Sequence, residues 1–246
     1  IADPREMVTE TQGDLPVAEQ ARRERARESA GGITAYSTDR SGSLAVFALG
    51  GELVVVDTSS GSFAVIENSG GAFDPRLSGD GQLVSFVAND GLYLASTDGA
   101  VVAQPIATED SDTVSWGSAE FVAAEEMRRS RGHWWDPTSK KLAVTRVDVN
   151  DVSLWPIAAP NDPAREPRAV RYPAAGTTNA DVQLYVVDTE DLSRLEVVWN
   201  RSTHPYLVDV TWDDDQPLTL IVQSRDQRSM QVLEMVEDTG QTRMVL

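Results

Sequence analysis

The 246-residue sequence contains no cysteine, which excludes disulfides and thiolate metal sites. Its only histidines are His133 and His204, and neither has an acidic partner at a recognisable spacing. The H-E-x-x-H motif, the EF-hand loop and the G-x-S-x-G motif of serine hydrolases are all missing from the sequence. The sequence therefore predicts no metal site, no cofactor and no catalytic residue in this chain, and it favours structural roles for both histidines.

Basic residues are scarce, with 21 lysines and arginines against 39 aspartates and glutamates and a formal net charge of -18. This balance argues against nucleic-acid binding, which depends on a basic face. It favours a solubilising surface first and a cationic ligand second. No apolar run approaches the roughly 20 residues of a membrane-spanning helix, so no membrane segment is predicted. The compartment stays open, because the first residue is Ile; we expect the cytoplasm, with a periplasmic or secreted location as the alternatives.

Residues 1–31 are predicted to form a lead-in segment with one helix over 14–29. Asp14 can cap this helix, and a run of good helix formers follows. Glu19 and Arg23 are spaced for an i,i+4 ion pair. We interpret the segment as a helix packed on a larger body.

A repeat begins after this segment, where short apolar runs alternate with Gly, Asp, Ser and Asn turns. The stretch DRSGSLAVFALGGELVVVDTSSG from Asp39 recurs from Ser78 as SGDGQLVSFVANDGLYLASTDG. The residues that match at an offset of 39 are Gly42 and Gly81, Leu44 and Leu83, Phe47 and Phe86, and Leu53 and Leu92. Weaker copies start at Asp136 (DPTSKKLAVTRVD) and Thr211 (TWDDDQPLTLIVQS). A period near 40 residues is typical of β-propeller blades.

Residues 32–246 are therefore predicted to be all-β and to form an incomplete β-propeller, with a β-sandwich as the alternative. Propellers typically have 4–8 blades, so four uneven copies fill part of a large ring. We expect further blades after Leu246. The open strand edges of such a partial ring predict homo-oligomers or low solubility.

Two insertions interrupt the repeat. Residues 118–131, SAEFVAAEEMRRSR, are predicted to be helical, with Ser118 as the cap. Residues 148–180 form a long excursion with five prolines, which predicts a functional arm or lid.

The predicted helix in the first insertion carries the adjacent carboxylates Glu125 and Glu126. On spacing alone we favour an ordinary salt-bridged helix face, because Arg128 and Arg129 lie three and four residues further on. The alternative is a cation site. An ammonium group has three donors and no acceptor, so two carboxylates can satisfy most of it.

The segment WGSAEFVAAEEM, followed by RGHWWDPTSKKLAVTRVD, closely resembles a helix and strand in the N-terminal propeller of the dipeptidyl peptidase IV family of prolyl oligopeptidase-like serine peptidases. The segments EPRAVRYPAAGTTNADVQLYVVDT and PYLVDVTW extend the resemblance. ARRERARESAGGITAY and FDPRLSGDGQLVSFV are similar to bacterial members. The resemblance covers the chain from about Ala21 to Leu246.

The resemblance implies that the full-length protein is a serine exopeptidase, a hydrolase that releases dipeptides with Pro or Ala in second position from free peptide N-termini. It implies that Glu125 and Glu126 bind the α-ammonium of the substrate and that the propeller gates access. It places the catalytic Ser, Asp and His in a C-terminal α/β-hydrolase domain, so this chain alone would not cleave peptides. The family also uses a propeller arginine near the substrate carbonyl, which the resemblance does not assign to Arg76 or to any other position. A non-catalytic propeller that binds peptides or proteins is the alternative.

Overall fold

The computed structural model describes residues 7, 19, 20, 23, 32–158, 160, 164, 166–237 and 239–246. Most of the helix predicted over 14–29 lies outside these residues. Its described members Glu19, Gln20 and Arg23 are helical, and Arg23 Nε donates to Glu19 Oε1 at 2.7 Å. The predicted i,i+4 ion pair is confirmed.

The described chain is nearly all β, and its strands form four successive antiparallel sheets and one separate ribbon. The first sheet contains β1 (Ser37–Thr38), β2 (Leu44–Leu49), β3 (Glu52–Asp57) and β4 (Phe63–Val65). The second contains β5 (Phe73–Leu77), β6 (Leu83–Ala88), β7 (Gly91–Ser96) and β8 (Gln104–Ala107). The third contains β9 (Val114–Trp116), β10 (His133–Trp135), β11 (Lys141–Asp148), β14 (Asp181–Asp188) and β15 (Arg194–Val197). The fourth contains β16 (Tyr206–Thr211), β17 (Thr219–Gln223), β18 (Met230–Met235) and β19 (Thr242–Met244), and the ribbon pairs β12 (Leu154–Ile157) with β13 (Arg168–Arg171).

The repeat seen in the sequence is the hairpin turn that leads into the second strand of a sheet. Gly42 and Gly81 occupy the same place in the first two turns, with φ of 72° and 73°. Glycine enters this left-handed region without steric penalty. The third turn has Ser139 at that place, with φ of 63°. The backbone bonds that close the three turns are Asp39 N to Leu44 O at 3.3 Å, Ser78 N to Leu83 O at 2.9 Å, and Asp136 N to Lys141 O at 2.9 Å.

Each sheet packs face to face on the next one along the chain, with a separate apolar core at every interface. The core between the first and second sheets includes Val46, Leu53 and Phe86. The core between the second and third includes Leu92, Trp116 and Leu142. The core between the third and fourth includes Leu184, Leu207 and Leu220.

The inner strands of the four sheets meet around a cavity of about 440 Å³. Its lining takes residues from β1, β5, β10 and β16: Ser37, Arg76, Leu77, Trp134, Trp135, Asp209, Val210 and Thr211. Propeller blades surround a central channel in this way. The prediction of an incomplete β-propeller is confirmed for the described chain, and the β-sandwich alternative is wrong, because small sheets stack in series.

Within the described residues, no helix is both long and apolar enough to cross a membrane. The same residues contain no group of three or more His, Asp or Glu side chains arranged to hold a metal ion.

Candidate functional site

The insertion between β9 and β10 contains a helix, α1 (Phe121–Glu126), which is shorter than the predicted 118–131. Its N-cap is Glu120, whose carboxylate accepts hydrogen bonds from the backbone N–H groups of Val122 and Ala123. The prediction of Ser118 as the cap is wrong. Ser118 forms an antiparallel bridge with Arg131 instead, which closes the base of the insertion two residues before the cap.

The chain leaves α1 directly after Glu126. Met127 is the C-cap, and Arg128 has a φ of 57°. This left-handed backbone conformation ends the right-handed helix. Arg129 then turns inward and is 4% exposed. Its Nε donates to Leu207 O at 3.1 Å and its Nη1 to Arg131 O at 2.8 Å. Burial lowers the pKa of Arg129. The arginine therefore anchors the insertion to the fourth sheet.

This geometry removes the salt-bridged helix face that spacing alone favoured. The prediction of salt bridges to Glu125 and Glu126 is wrong because α1 ends before Arg128 and Arg129. Neither arginine therefore lies one helical turn after a glutamate on the same helix face. Among the described residues, neither Glu125 nor Glu126 forms an ion pair.

Glu125 and Glu126 are the last two residues of α1, and both are exposed. Glu126 Oε2 accepts a hydrogen bond from Gln227 Nε2 at 2.6 Å. Gln227 belongs to the turn between β17 and β18, where its φ is 57°. The arrangement thus presents two adjacent carboxylates with no neutralising cation among the described residues, one of them oriented by an amide. It is chemically suited to a cation with several hydrogen-bond donors.

Arg76 lies on β5, in a different setting from the glutamate pair. Its Nη2 is 2.5 Å from Asp74 Oδ1, and Asp74 has a φ of 47°. Arg76 borders the cavity of about 440 Å³ between the inner strands and also a pocket of about 140 Å³ that includes Arg23 and Ser130. No hydrogen bond or ion pair among the described residues joins Arg76 to Glu125 or Glu126.

A family model described as the Dipeptidyl peptidase IV (DPP IV) N-terminal region matches residues 46–246. The chain belongs to this family. Dipeptidyl aminopeptidase B of Saccharomyces cerevisiae is 26% identical over 171 residues, which cover 66% of this chain and 20% of the relative. Dipeptidyl peptidase 4 of Sus scrofa is 25% identical over 175 residues, which cover 65% of this chain and 23% of the relative.

The fold of this DPP IV N-terminal region agrees with solved structures of the family. The crystal structure of Porphyromonas gingivalis dipeptidyl peptidase 4 superposes with a TM-score of 0.71 at 20% sequence identity. The match covers 90% of this chain and 34% of that chain. The chain thus spans about a fifth of the length of its curated relatives and a third of this structural neighbour.

The two histidines of this DPP IV region occupy structural positions. His133 is fully buried on β10, and its Nδ1 lies 3.0 Å from Gly117 O. His204 Nε2 lies 3.1 Å from Ser229 Oγ, but its Nδ1 faces the hydroxyl of Thr203 at 3.0 Å. A serine–histidine–acid triad needs a carboxylate at that second nitrogen. In the described contacts of His204, the group at Nδ1 is the hydroxyl of Thr203 and not a carboxylate.

Two residues that shape the glutamate pair had no signal in the sequence. Glu120 caps α1, although serine, the residue at position 118, is the more common N-cap residue. Gln227 contacts Glu126 although the two residues are 101 positions apart in the sequence, and no local sequence pattern predicts a contact at that separation.

Proposed function

We propose that this chain is the substrate-recognition part of a dipeptidyl peptidase and that Glu125 and Glu126 bind the α-ammonium group of a peptide N-terminus. The observation that carries the proposal is the exposed carboxylate pair at the end of α1, which has no ion-pair partner among the described residues. The names of the relatives supply the reaction class, release of dipeptides.

An N-terminal ammonium fits this pair in both charge and hydrogen bonding. It has three N–H donors, and the α-amino group has a pKa of roughly 7.7–8.0, so it is mostly charged at neutral pH. Nearby carboxylates favour the charged form further. Gln227 donates to Oε2 of Glu126 and leaves Oε1 of that carboxylate for a ligand.

Binding at the amine also explains cleavage after the second residue. An anchored ammonium fixes the distance to the scissile bond, so a nucleophile at one position cuts at one place. Acylated or internal peptides lack the charge and leave the carboxylates unpaired, which disfavours their binding. In this proposal the catalytic Ser, Asp and His belong to a C-terminal α/β-hydrolase domain of the same protein, and the propeller gates access to it.

The test uses the full-length protein that contains this chain and the chromogenic substrates Ala-Pro-p-nitroanilide and Gly-Pro-p-nitroanilide. The isosteric double variant Glu125→Gln, Glu126→Gln keeps the size of both side chains and removes both charges. We expect kcat/KM to fall at least about 100-fold, which corresponds to ~2.7 kcal/mol of lost transition-state binding. N-acetylated Ala-Pro-p-nitroanilide should be a poor substrate for the unmodified protein.

Glu190→Gln is the matched control. Glu190 is exposed in the turn after β14, at the opposite end of that strand from residue 181. Its variant should retain the kcat/KM of the unmodified protein. Unchanged turnover in the double variant would contradict the proposed role of the pair. Glutamate-dependent binding of Ala-Pro peptides without any release of product would favour the non-catalytic propeller instead.

A further inference from the structure

The ribbon of β12 and β13 and the return segment 172–180 form one feature, which we call the arm. The ribbon extends from the third sheet as a pair with no further strand beside it among the described residues. Leu154, Trp155 and Ile157 on β12 are each more than half exposed. Nothing in the proposed function assigns a task to the arm.

Three aromatic rings connect the arm to α1. Trp155 on β12 and Tyr172, directly after β13, have ring centroids 6.0 Å apart at 62°. Tyr172 and Phe121 have centroids 5.2 Å apart at 76°, an edge-to-face contact. Phe121 is the first residue of α1, so the arm contacts the beginning of the helix that ends in the glutamate pair.

A cavity of about 260 Å³ lies beside this contact. Phe121 and Ala124 line it from α1, and Arg171 and Pro173 line it from the base of the arm. The contact between Phe121 and Tyr172 borders this open space, so the arm meets α1 at the edge of the cavity.

A second connection reaches the other end of α1 through the turn between β17 and β18. Gln227 in this turn donates to Glu126 at 2.6 Å. Arg225 in the same turn donates through Nη2 to the backbone carbonyl oxygen of Thr177, in the return segment of the arm. One turn thus contacts both the arm and the second glutamate.

We propose that the arm positions Glu125 and Glu126, through Tyr172 and Phe121 at the start of α1 and through Arg225 and Gln227 at its end. Tyr172 and Gln227 are positioning residues. This inference rests on the proposed function of the glutamate pair. Misplacement of a binding group by about 1 Å can reduce rates substantially, so loss of either connection should weaken recognition of the substrate amine.

The first test compares Tyr172→Ala with Tyr172→Phe in the full-length protein, with Ala-Pro-p-nitroanilide as substrate. The phenylalanine variant keeps the ring contact with Phe121, whereas the alanine variant removes it. We expect Tyr172→Ala to raise KM about tenfold with kcat within about twofold, and Tyr172→Phe to match the unmodified protein. Ile157→Ala is the control on the same ribbon, and it should leave KM unchanged.

The second test measures α1 directly, without substrate, by amide hydrogen exchange and mass spectrometry of the same four proteins. The amides of Ala124 and Met127 donate to Glu120 O and Ala123 O at 3.1 and 3.2 Å, so their exchange reports on the helix. We expect faster exchange across α1 in Tyr172→Ala alone. Exchange and KM that both match the unmodified protein would overturn the inference, as would a change in exchange with no change in KM.

The glutamate variants separate this inference from the proposed function. If Glu125→Gln, Glu126→Gln lowers kcat/KM while Tyr172→Ala alters neither KM nor exchange, the arm does not position the pair and the proposed function stands. If the glutamate variants leave kcat/KM unchanged, the proposed function fails, and the inference that depends on it fails even where exchange in α1 has increased.

Discussion

His133 is a buried titratable residue on β10, and its burial opposes a second proton. It is fully buried, and its Nδ1 lies within hydrogen-bonding distance of Gly117 O. Nε2 has no hydrogen-bond partner among the described residues. The pKa of His133 is lowered to about 4, mainly by burial and also by the charges of Arg76 and Arg131. The charge of Asp74 and the hydrogen bond with Gly117 act in the opposite direction. The imidazole is therefore neutral in the folded protein at neutral pH.

His133 should make the protein less stable in mild acid. The ordinary pKa of histidine is 6.5, whereas the pKa of His133 in the folded protein is about 4, so the unfolded chain binds the extra proton first. The stabilising contribution of neutral His133 to the free energy of unfolding is present above pH 6.5 and is lost progressively as pH falls towards 4. Below that pH the loss levels off, and its total is at most ~3 kcal/mol.

The measurement is the free energy of unfolding in urea across this pH range for the unmodified protein and for His133→Gln. Glutamine does not titrate, so the variant should show a shallower slope between pH 6.5 and 4, whatever its absolute stability. Identical slopes for the two proteins would contradict the assignment to His133.

At the scale of elements, the repeated turns differ in how much space surrounds their glycines. Gly42 and Gly81 share the same positive φ, so alanine is strained at both positions. A Cβ at Gly42 would meet nothing within 4 Å. A Cβ at Gly81 would lie 3.2 Å from Cβ of Asp39 and 3.4 Å from Cδ1 of Leu44. The turn of the second sheet therefore packs against the turn of the first.

This difference predicts unequal effects of the same substitution. Gly42→Ala should lower the free energy of unfolding by ~1 kcal/mol, the penalty for a left-handed backbone. Gly81→Ala should lower it by ~2 kcal/mol or more, because Asp39 and Leu44 must also shift. Urea unfolding of the two variants under one set of conditions checks the order. A smaller effect at Gly81 than at Gly42 would count against the packing of one turn on the other.

At the scale of the whole molecule, the first and fourth sheets differ in what covers their outer faces. Met7 is 5% exposed and packs against Phe47 and Val54 on the first sheet. On the fourth sheet, the cross-strand pair Ile221 and Val232 is only partly buried by the described residues. In a stack of sheets, each apolar face requires a neighbour.

We therefore expect the 246-residue chain, produced by itself, to associate through the fourth sheet. Light scattering over a range of protein concentrations should give a mean mass above the 26.7 kDa of one chain. The double variant Ile221→Thr, Val232→Thr keeps β propensity and should reduce the association. A monodisperse monomer of the unmodified chain would contradict this expectation.

The boundary between the lead-in segment 1–31 and the propeller that begins at residue 32 stays a prediction.

The sequence by itself determined the features that depend on short-range signals. The turn glycines Gly42 and Gly81 and the alternating apolar runs predicted the repeated hairpins, because turns and strands are set within a few residues. The i,i+4 spacing of Glu19 and Arg23 predicted their ion pair for the same reason. The segment that carries Glu125 and Glu126, together with the other segments similar to the family, was sufficient to indicate the family, which the match over residues 46–246 confirms.

Only the tertiary structure decided how the glutamate pair is held. Arg129 contacts Leu207 across 78 positions, and this buried contact accompanies the early end of α1 that removes the expected salt bridges. Gln227 reaches Glu126 across 101 positions. Such contacts depend on how sheets stack in space, and no periodicity along the chain encodes them. The same carboxylates that spacing favoured as a neutralised helix face are therefore exposed, and neither has an ion-pair partner among the described residues.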